Sequence, residues 1–239
     1  NRQVIGVSCD EYRRNGAFAE KVVIPQLGIC GIPDEVSFEQ AALAEPVSIA
    51  LHAVNRLPIQ GGEVAVVVGT GMIGLFLVQA LKAAGCGYVF AIDLAEDKLA
   101  LAKELGAAAT LVPGKDDVCA MVRQATEGEG AHFSMEAVGV TETVCLAIEV
   151  LRKSGSSCLV GNLAPQVDFP LQSVVTRELS VYGSCASAGE YPRALEAVAS
   201  GKINVNPIIS AVGDLKDGAE WFDRLRGNKE GLLKVILTP

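Results

Sequence analysis

Six consecutive residues, Gly69-Thr70-Gly71-Met72-Ile73-Gly74, carry the clearest chemical signal in the chain. They follow directly on the apolar run Val64–Val68, and an apolar, helix-like stretch continues from them to Ala84. Asp93 closes the next strand-like run, nineteen positions after Gly74. Glycines at this spacing between a strand and a helix, with an acid ending the following strand, make a dinucleotide-binding fingerprint. Gly69 permits the tight turn, Gly71 lets the backbone approach a pyrophosphate, and Gly74 allows helix and sheet to pack closely. The helix N-terminus at Met72 and Ile73 offers free N–H groups and a partial positive charge to phosphates. Asp93 would accept hydrogen bonds from the adenosine ribose hydroxyls and repel a 2′-phosphate, so the pattern favours NAD over NADP. The competing reading is an ordinary tight strand–helix turn followed by a solvated acid.

The elements that must position these residues alternate strand and helix from Glu63 to about Ile209. The runs Val64–Val68, Tyr88–Ile92, Ala109–Val112, Ala131–Ala137, Ser157–Val160 and Leu179–Tyr182 read as strands. Amphipathic stretches such as Ala95–Leu105, Asp116–Ala125 and Thr141–Lys153 lie between them, and Gly85, Gly106 and Gly155 read as left-handed helix caps. Alternation of this kind predicts an α/β fold, a doubly wound parallel sheet of six strands covered on both faces. Before it, Phe18–Pro25 reads as a strand. Ser37 and Gln40 have capping-box spacing ahead of a helix. Pro46 should break that helix, leaving Glu45 at the break and Pro46 as first residue of a second helical piece. After the alternating region come a helix-like Gly218–Leu225 and a final strand, Leu232–Leu237. The implied organisation is a segment 1–55, a dinucleotide-binding domain 56–209 and a return segment 210–239.

Half of the 239 residues are apolar and a fifth are charged, enough for an ordinary globular core. A net charge of −8 argues against nucleic acid or an anionic membrane surface as the main partner. No stretch approaches the length of apolar sequence that a membrane-spanning helix needs. The N-terminus shows neither a signal-peptide pattern nor an initiating Met, which implies processing or a start within a longer product. Seven cysteines, at positions 9, 30, 86, 119, 145, 158 and 185, are scattered without a Cys-x-x-Cys pair. They read as unpaired thiols of a reducing cytoplasm. The two histidines, His52 and His132, have no partner at metal-ligand spacing and read as packed, structural residues.

Four stretches together resemble the zinc-type medium-chain dehydrogenase/reductase superfamily, in its sorbitol (L-iditol), threonine and galactitol-phosphate dehydrogenase group. They are Gly16-Ala17-Phe18-Ala19-Glu20, Leu43-Ala44-Glu45-Pro46-Val47 through Leu51-His52-Ala53-Val54, the glycine motif through Asp93, and Cys158-Leu159-Val160-Gly161. The resemblance covers essentially the whole chain. It implies a Rossmann domain with remnants of a GroES-like β domain at both ends. In the family, the segment before the stretch resembling Asn1–Val7 holds the catalytic zinc ligands, a Cys and a Gly-His-Glu motif, and a four-cysteine structural zinc cluster. Neither is in this sequence, so the chain by itself is expected to be inactive.

The resemblance also assigns site residues. Glu45 matches the Glu-Pro position at the catalytic zinc, as a ligand or as the partner of zinc-bound water, although one carboxylate cannot hold the metal alone. Lys98 matches a basic residue beside the adenine, and Val138 and Gly139 the loop after the fourth strand. Val160 and Gly161 match the loop beside the nicotinamide, and Ser184 and Cys185 the turn after the sixth strand. For each of these groups the competing reading is plain loop packing. The intact protein is thus expected to be a cytoplasmic homodimer or homotetramer, paired near Leu179–Tyr182. It would oxidise a secondary hydroxyl of a polyol or sugar derivative with NAD and zinc. Two other readings stand beside this one: a non-catalytic NAD-binding module, and a zinc-free reductase of the quinone oxidoreductase branch. Glu45-Pro46 and Asp93 weigh against the last.

Overall fold

The computed structural model describes residues 4–6, 13–227 and 230–239, so Cys9 lies outside the described residues. The chain divides into two compact units, Ile32–Pro207 and a smaller one made of Asn1–Gly31 with Ile208–Pro239. In the smaller unit, β1 (Val4–Ile5) pairs in parallel with β2 (Arg13–Arg14). The strand expected at Phe18–Pro25 is not formed: these residues are irregular and lead into a single 3-10 turn, Gln26–Gly28. Among the described residues they have no neighbouring ladder to join, and an extended segment is stable as a strand only when its backbone is paired.

The larger unit opens with α1 (Phe38–Ala41), and the Ser37–Gln40 capping box is present in both directions. A second helix, α2 (Ala44–Val54), follows after Ala42 and Leu43. The break therefore falls before Ala44 rather than at Glu45, and Pro46 is the third helical residue rather than the first. A proline within the first turn sacrifices no hydrogen bond, because N–H groups there have no intrahelical acceptor.

Six parallel strands form the central sheet. They are β3 (Val64–Val68), β4 (Tyr88–Ile92), β5 (Ala109–Leu111), β6 (Ala131–Glu136), β7 (Leu151–Leu159) and β8 (Ser180–Gly183). Their order across the sheet is β5-β4-β3-β6-β7-β8. The helices between them are α3 (Met72–Ala83), α4 (Glu96–Glu104), α5 (Val118–Gln124), α6 (Thr141–Glu149) and the short α7 (Leu171–Thr176). Alternation along β3 divides the core. Val66 and Val68 join Phe90, Ile92 and Leu111 beneath Val118 and Val122 of α5 and Ala147 of α6. Val67 points the other way, toward α3 at Gly74. Gly85 and Gly106 take the expected left-handed caps of α3 and α4.

Gly155 does not cap a helix. Helix α6 ends at Glu149, and Leu151 already belongs to β7, opposite Ala131. The amphipathic reading carried α6 on to Lys153 because Leu151-Arg152-Lys153 fits either period. Pairing with β6 decides for the strand. The β6–β7 register shifts between Ala131 and Phe133, and the left-handed residue of this stretch is Ser154, at φ 59°.

Helix α8 (Tyr191–Ala199) packs on α2, where the Nδ1–H of His52 donates to Glu190 Oε1 at 2.8 Å. Burial would raise the Glu190 carboxyl, but hydrogen bonds from His52 and the Ala188 N–H outweigh it and hold the group below its ordinary value. Stability from this interaction is present above the unfolded-state pKa and lost as pH falls through the lowered folded one. Urea midpoints of the wild type and Glu190→Gln should therefore separate near neutrality and converge in acid. Equal midpoints at every pH would show that the pair contributes nothing.

The smaller unit is completed by β9 (Ile209–Asp214), α9 (Gly218–Gly227) and β10 (Lys234–Thr238), with β9 and β10 parallel. Phe18 meets Phe222 of α9 edge to face, with ring centroids 5.6 Å apart.

Candidate functional site

The turn after β3 is built by three contacts. Gly69 sits at φ 90°, and its N–H donates to Ile92 O at 2.8 Å, tying the loop to β4. Asp93 then holds the loop from the neighbouring strand end: Oδ2 accepts from Thr70 N–H at 2.7 Å, and Oδ1 from Ala95 N–H at 3.0 Å. Gly74 lies against the loop so closely that a Cβ there would stand 1.8 Å from Gly69 O. Gly71 is the N-cap of α3 without a side-chain cap, and a Cβ on it would meet nothing within 4 Å among the described residues. Met72 and Ile73, the first residues of α3, follow this open position, and free N–H groups at a helix N-terminus suit an anion.

A cleft of about 640 Å³ opens over this loop. It is lined by Gly69, Gly71, Asp93, Lys98 and Val138, all named from the sequence. Leu94, Pro113, Val140, Leu146 and Leu163 make it largely apolar, with Glu142 and Thr143 on its wall. These residues come from the segments that follow five different strands, so no local spacing announces them.

The other assigned residues sit differently. Gly139 and Gly161 pack backbone against backbone: a Cβ on Gly161 would lie 2.3 Å from Gly139 N, and one on Gly139 2.4 Å from Asn162 N. Val160 N–H and Gly161 N–H both donate to Glu136 O, at 2.8 and 3.1 Å, and Ala164 N–H donates to Gly139 O at 2.9 Å. The two loops at Val138–Gly139 and Val160–Gly161 are therefore one joined structure. Ser184 N–H donates to Leu159 O at 2.9 Å, its Oγ is buried without a hydrogen-bond partner among the described residues, and Cys185 is exposed.

One residue that sequence reasoning missed organises this edge. Glu136 ends β6 and is 0% exposed. Its Oε1 accepts from Val138 N–H at 2.8 Å and Gly139 N–H at 2.7 Å, while Oε2 is buried without a hydrogen-bond partner among the described residues. The available signal was an acid closing an apolar strand, as Asp93 closes β4. Thr70 Oγ1 is likewise buried and without a partner among the described residues.

Glu45 stands in the first turn of α2, exposed, and does not line the cleft. Among the described residues no three His, Cys, Asp or Glu side chains gather as a metal site. The family's zinc therefore cannot be held by these residues alone, since a catalytic site takes about three protein ligands. Cys86 and Cys158 are buried, which pushes both thiols up to about 11 and makes them poor nucleophiles.

Comparison with known proteins agrees with this architecture. Residues 73–200 match the zinc-binding dehydrogenase family. D-xylulose reductase A from Aspergillus niger is 31% identical over 220 residues, 90% of this chain and 62% of that protein. L-Idonate 5-dehydrogenase from Escherichia coli superposes with a TM-score of 0.87 at 28% identity, covering 94% of this chain and 64% of the other. A zinc-binding dehydrogenase from Sinorhizobium meliloti, solved with NADP bound, superposes at 0.86 and 29% identity, covering 95% and 67%. The chain spans less than two thirds of the reductase's length. With its family match, its glycine loop and its six parallel strands, the chain belongs to the zinc-binding dehydrogenases of the medium-chain dehydrogenase/reductase superfamily.

Proposed function

We propose that this chain is the NAD-binding part of a dehydrogenase that oxidises a secondary hydroxyl of a polyol or sugar derivative to a ketone. The observation that carries the cofactor reading is the Asp93 carboxylate, fixed by Thr70 and Ala95 N–H at the mouth of a cleft that begins at the glycine loop. Both oxygens are oriented before any ligand arrives, and each keeps a lone pair for a ribose hydroxyl. The pyrophosphate would lie beside Gly71 against the N–H groups of Met72 and Ile73, and the adenine between Leu94, Lys98 and Pro113. Gly74 keeps α3 close enough for this, and the joined Val138–Gly139 and Val160–Gly161 loops would border the nicotinamide, with Ser184 and Cys185 beyond. When bound, NAD supplies the acceptor for the substrate's hydride.

The substrate class follows from relatives that are named for xylulose and idonate. Zinc assistance belongs to the intact protein, to which Glu45 would contribute one carboxylate. We assign the protein to the cytoplasm as a homodimer or homotetramer; β8, at one edge of the sheet, would pair the copies. No helix among the described residues is long and apolar enough to cross a membrane. A second reading, a non-catalytic NAD-binding module, is favoured by the lack of a gathered metal site among the described residues.

The S. meliloti neighbour holds NADP; in the reading proposed for this chain, the Asp93 carboxylate would repel a 2′-phosphate and favour NAD. Calorimetric titration should show NAD bound more tightly than NADP. Asp93→Ala should weaken NAD by about 10–100-fold, the loss of hydrogen bonds to a charged acceptor, and leave NADP unchanged or tighter. Equal affinities in the wild type, or NAD binding indifferent to Asp93→Ala, would refute the assignment.

A further inference from the structure

A second cleft, of about 530 Å³, opens where β3, β6 and β7 begin, at the sheet edge away from the glycine loop. Its lining includes Glu63, His132, Arg152, Ser154 and Ser156. From the way these side chains are committed, we infer that this cleft binds a small oxyanion, an inorganic phosphate or the phosphoryl group of a small metabolite.

Arg152 and His132 both line this cleft, near enough for the Arg152 charge to act on the imidazole. The Arg152 Nε is buried and has no hydrogen-bond partner among the described residues. A guanidinium donor withdrawn from water without an acceptor is costly, and a phosphate satisfies it with charge-assisted, often bidentate bonds. His132 Nδ1 accepts the Val64 N–H at 3.3 Å, which fixes the neutral ring as an Nε2–H donor. Burial, and then the charge of Arg152, lower the His132 pKa, while Glu63 opposes them. Glu63 is the carboxylate of this rim, and it is already engaged: Oε1 accepts from Gln60 N–H at 2.7 Å and Oε2 from Gly61 N–H at 2.8 Å. It closes the turn before β3 instead of neutralising Arg152, with which it forms no ion pair among the described residues.

Ser154 adds a separate indication. It is a non-glycine residue at φ 59°, held there by its N–H donating to Arg177 O at 2.8 Å. Left-handed backbone at such a residue costs on the order of 1 kcal/mol and is retained where surrounding structure requires it. Here it belongs to the β6–β7 register shift, which sets Ser154 on the rim between Arg152 and Ser156. The site would thus combine one permanent cation, one neutral imidazole donor and hydroxyl donors, a set suited to phosphate oxygens.

The chain's two histidines make the test direct. Imidazole NMR signals would be followed while inorganic phosphate is added, against sodium chloride at matched ionic strength. Phosphate should move the His132 signals saturably and raise the His132 pKa, because a bound anion offsets the Arg152 charge, while His52 stays unmoved as an internal control. Arg152→Gln should weaken binding by at least about tenfold. Should that variant fail to fold, Ser154→Asp keeps a residue that tolerates left-handed backbone and sets a negative charge on the rim, and it should weaken binding similarly. In a second arm, glycerol 3-phosphate binding more tightly than inorganic phosphate would assign the site to a phosphorylated metabolite. The reverse order would assign it to free phosphate. Shifts that never saturate, that sodium chloride reproduces, or that persist in both variants would overturn the inference. NAD titration reports the other sheet edge, so the two readings fail separately.

Discussion

Gly74→Ala is expected to abolish measurable NAD binding and to lower the thermal midpoint by about 2–12 °C. In an isolated helix the same exchange would stabilise by about 1 kcal/mol, since alanine is the better helix former. Position 74 reverses the sign because the added methyl would stand 1.8 Å from Gly69 O and 2.8 Å from Gly69 C. Both atoms are backbone, so no side chain can rotate away. Either α3 must lift from β3, where the added methyl would also stand 3.6 Å from Val67 Cγ1, or the left-handed turn at Gly69 must open. Overpacking of this kind costs about 1–3 kcal/mol and more when only backbone can yield. Gly71→Ala is the informative comparison. Its methyl meets nothing within 4 Å, so the variant should fold like the wild type yet bind NAD poorly, with the methyl occupying space proposed for the pyrophosphate. Scanning calorimetry and NAD titration of both variants separate the two effects. A Gly74→Ala protein that melts and binds like the wild type would mean that α3 does not need its close approach.

The second large effect is expected at Glu136. Truncation to alanine removes the acceptor of the Val138 and Gly139 N–H groups and leaves both without their partner beneath the cleft wall. Each orphaned donor costs about 1–3 kcal/mol, so Glu136→Ala should lose about 2–6 kcal/mol in urea unfolding. Since Val138 lines the cleft, NAD affinity should fall as well. Glu136→Gln keeps a carbonyl oxygen where Oε1 now accepts two bonds and replaces the unpartnered Oε2 with an amide donor. It should remain within about 1 kcal/mol of the wild type, because the geometry is preserved and no charge is buried. If the glutamine variant proves as unstable as the alanine one, the carboxylate's charge, and not its acceptor geometry, holds the loop. Unchanged stability in Glu136→Ala would show that the 138–139 N–H groups find other partners.

The strand, turn and helix from Val64 to Ala84 were legible in sequence because their causes are local. A continuous apolar run buried on both faces, a left-handed glycine and a helix start all lie within a few residues of each other, and the acid at Asp93 needs only the next strand. The capping box at Ser37 and Gln40 was legible for the same reason. Elements whose identity depends on a distant partner were not. Leu151–Lys153 fits helix or strand until Ala131 pairs with Leu151, and Phe18–Pro25 has a strand's composition but no neighbour among the described residues. Pro46 marks a helix start to within a turn and no more finely, because three positions tolerate the missing N–H equally.

The site divides in the same way. The glycine spacing and Asp93 could be read because a phosphate-binding turn needs those residue types at those intervals. Only the tertiary structure showed that Asp93 grips Thr70, that Glu136 grips the 138–139 loop, and that Gly139 and Gly161 are packed against each other. Such roles are set by which strand ends lie side by side in the order β4-β3-β6-β7, and strand order arises from long-range packing that no interval in the sequence encodes.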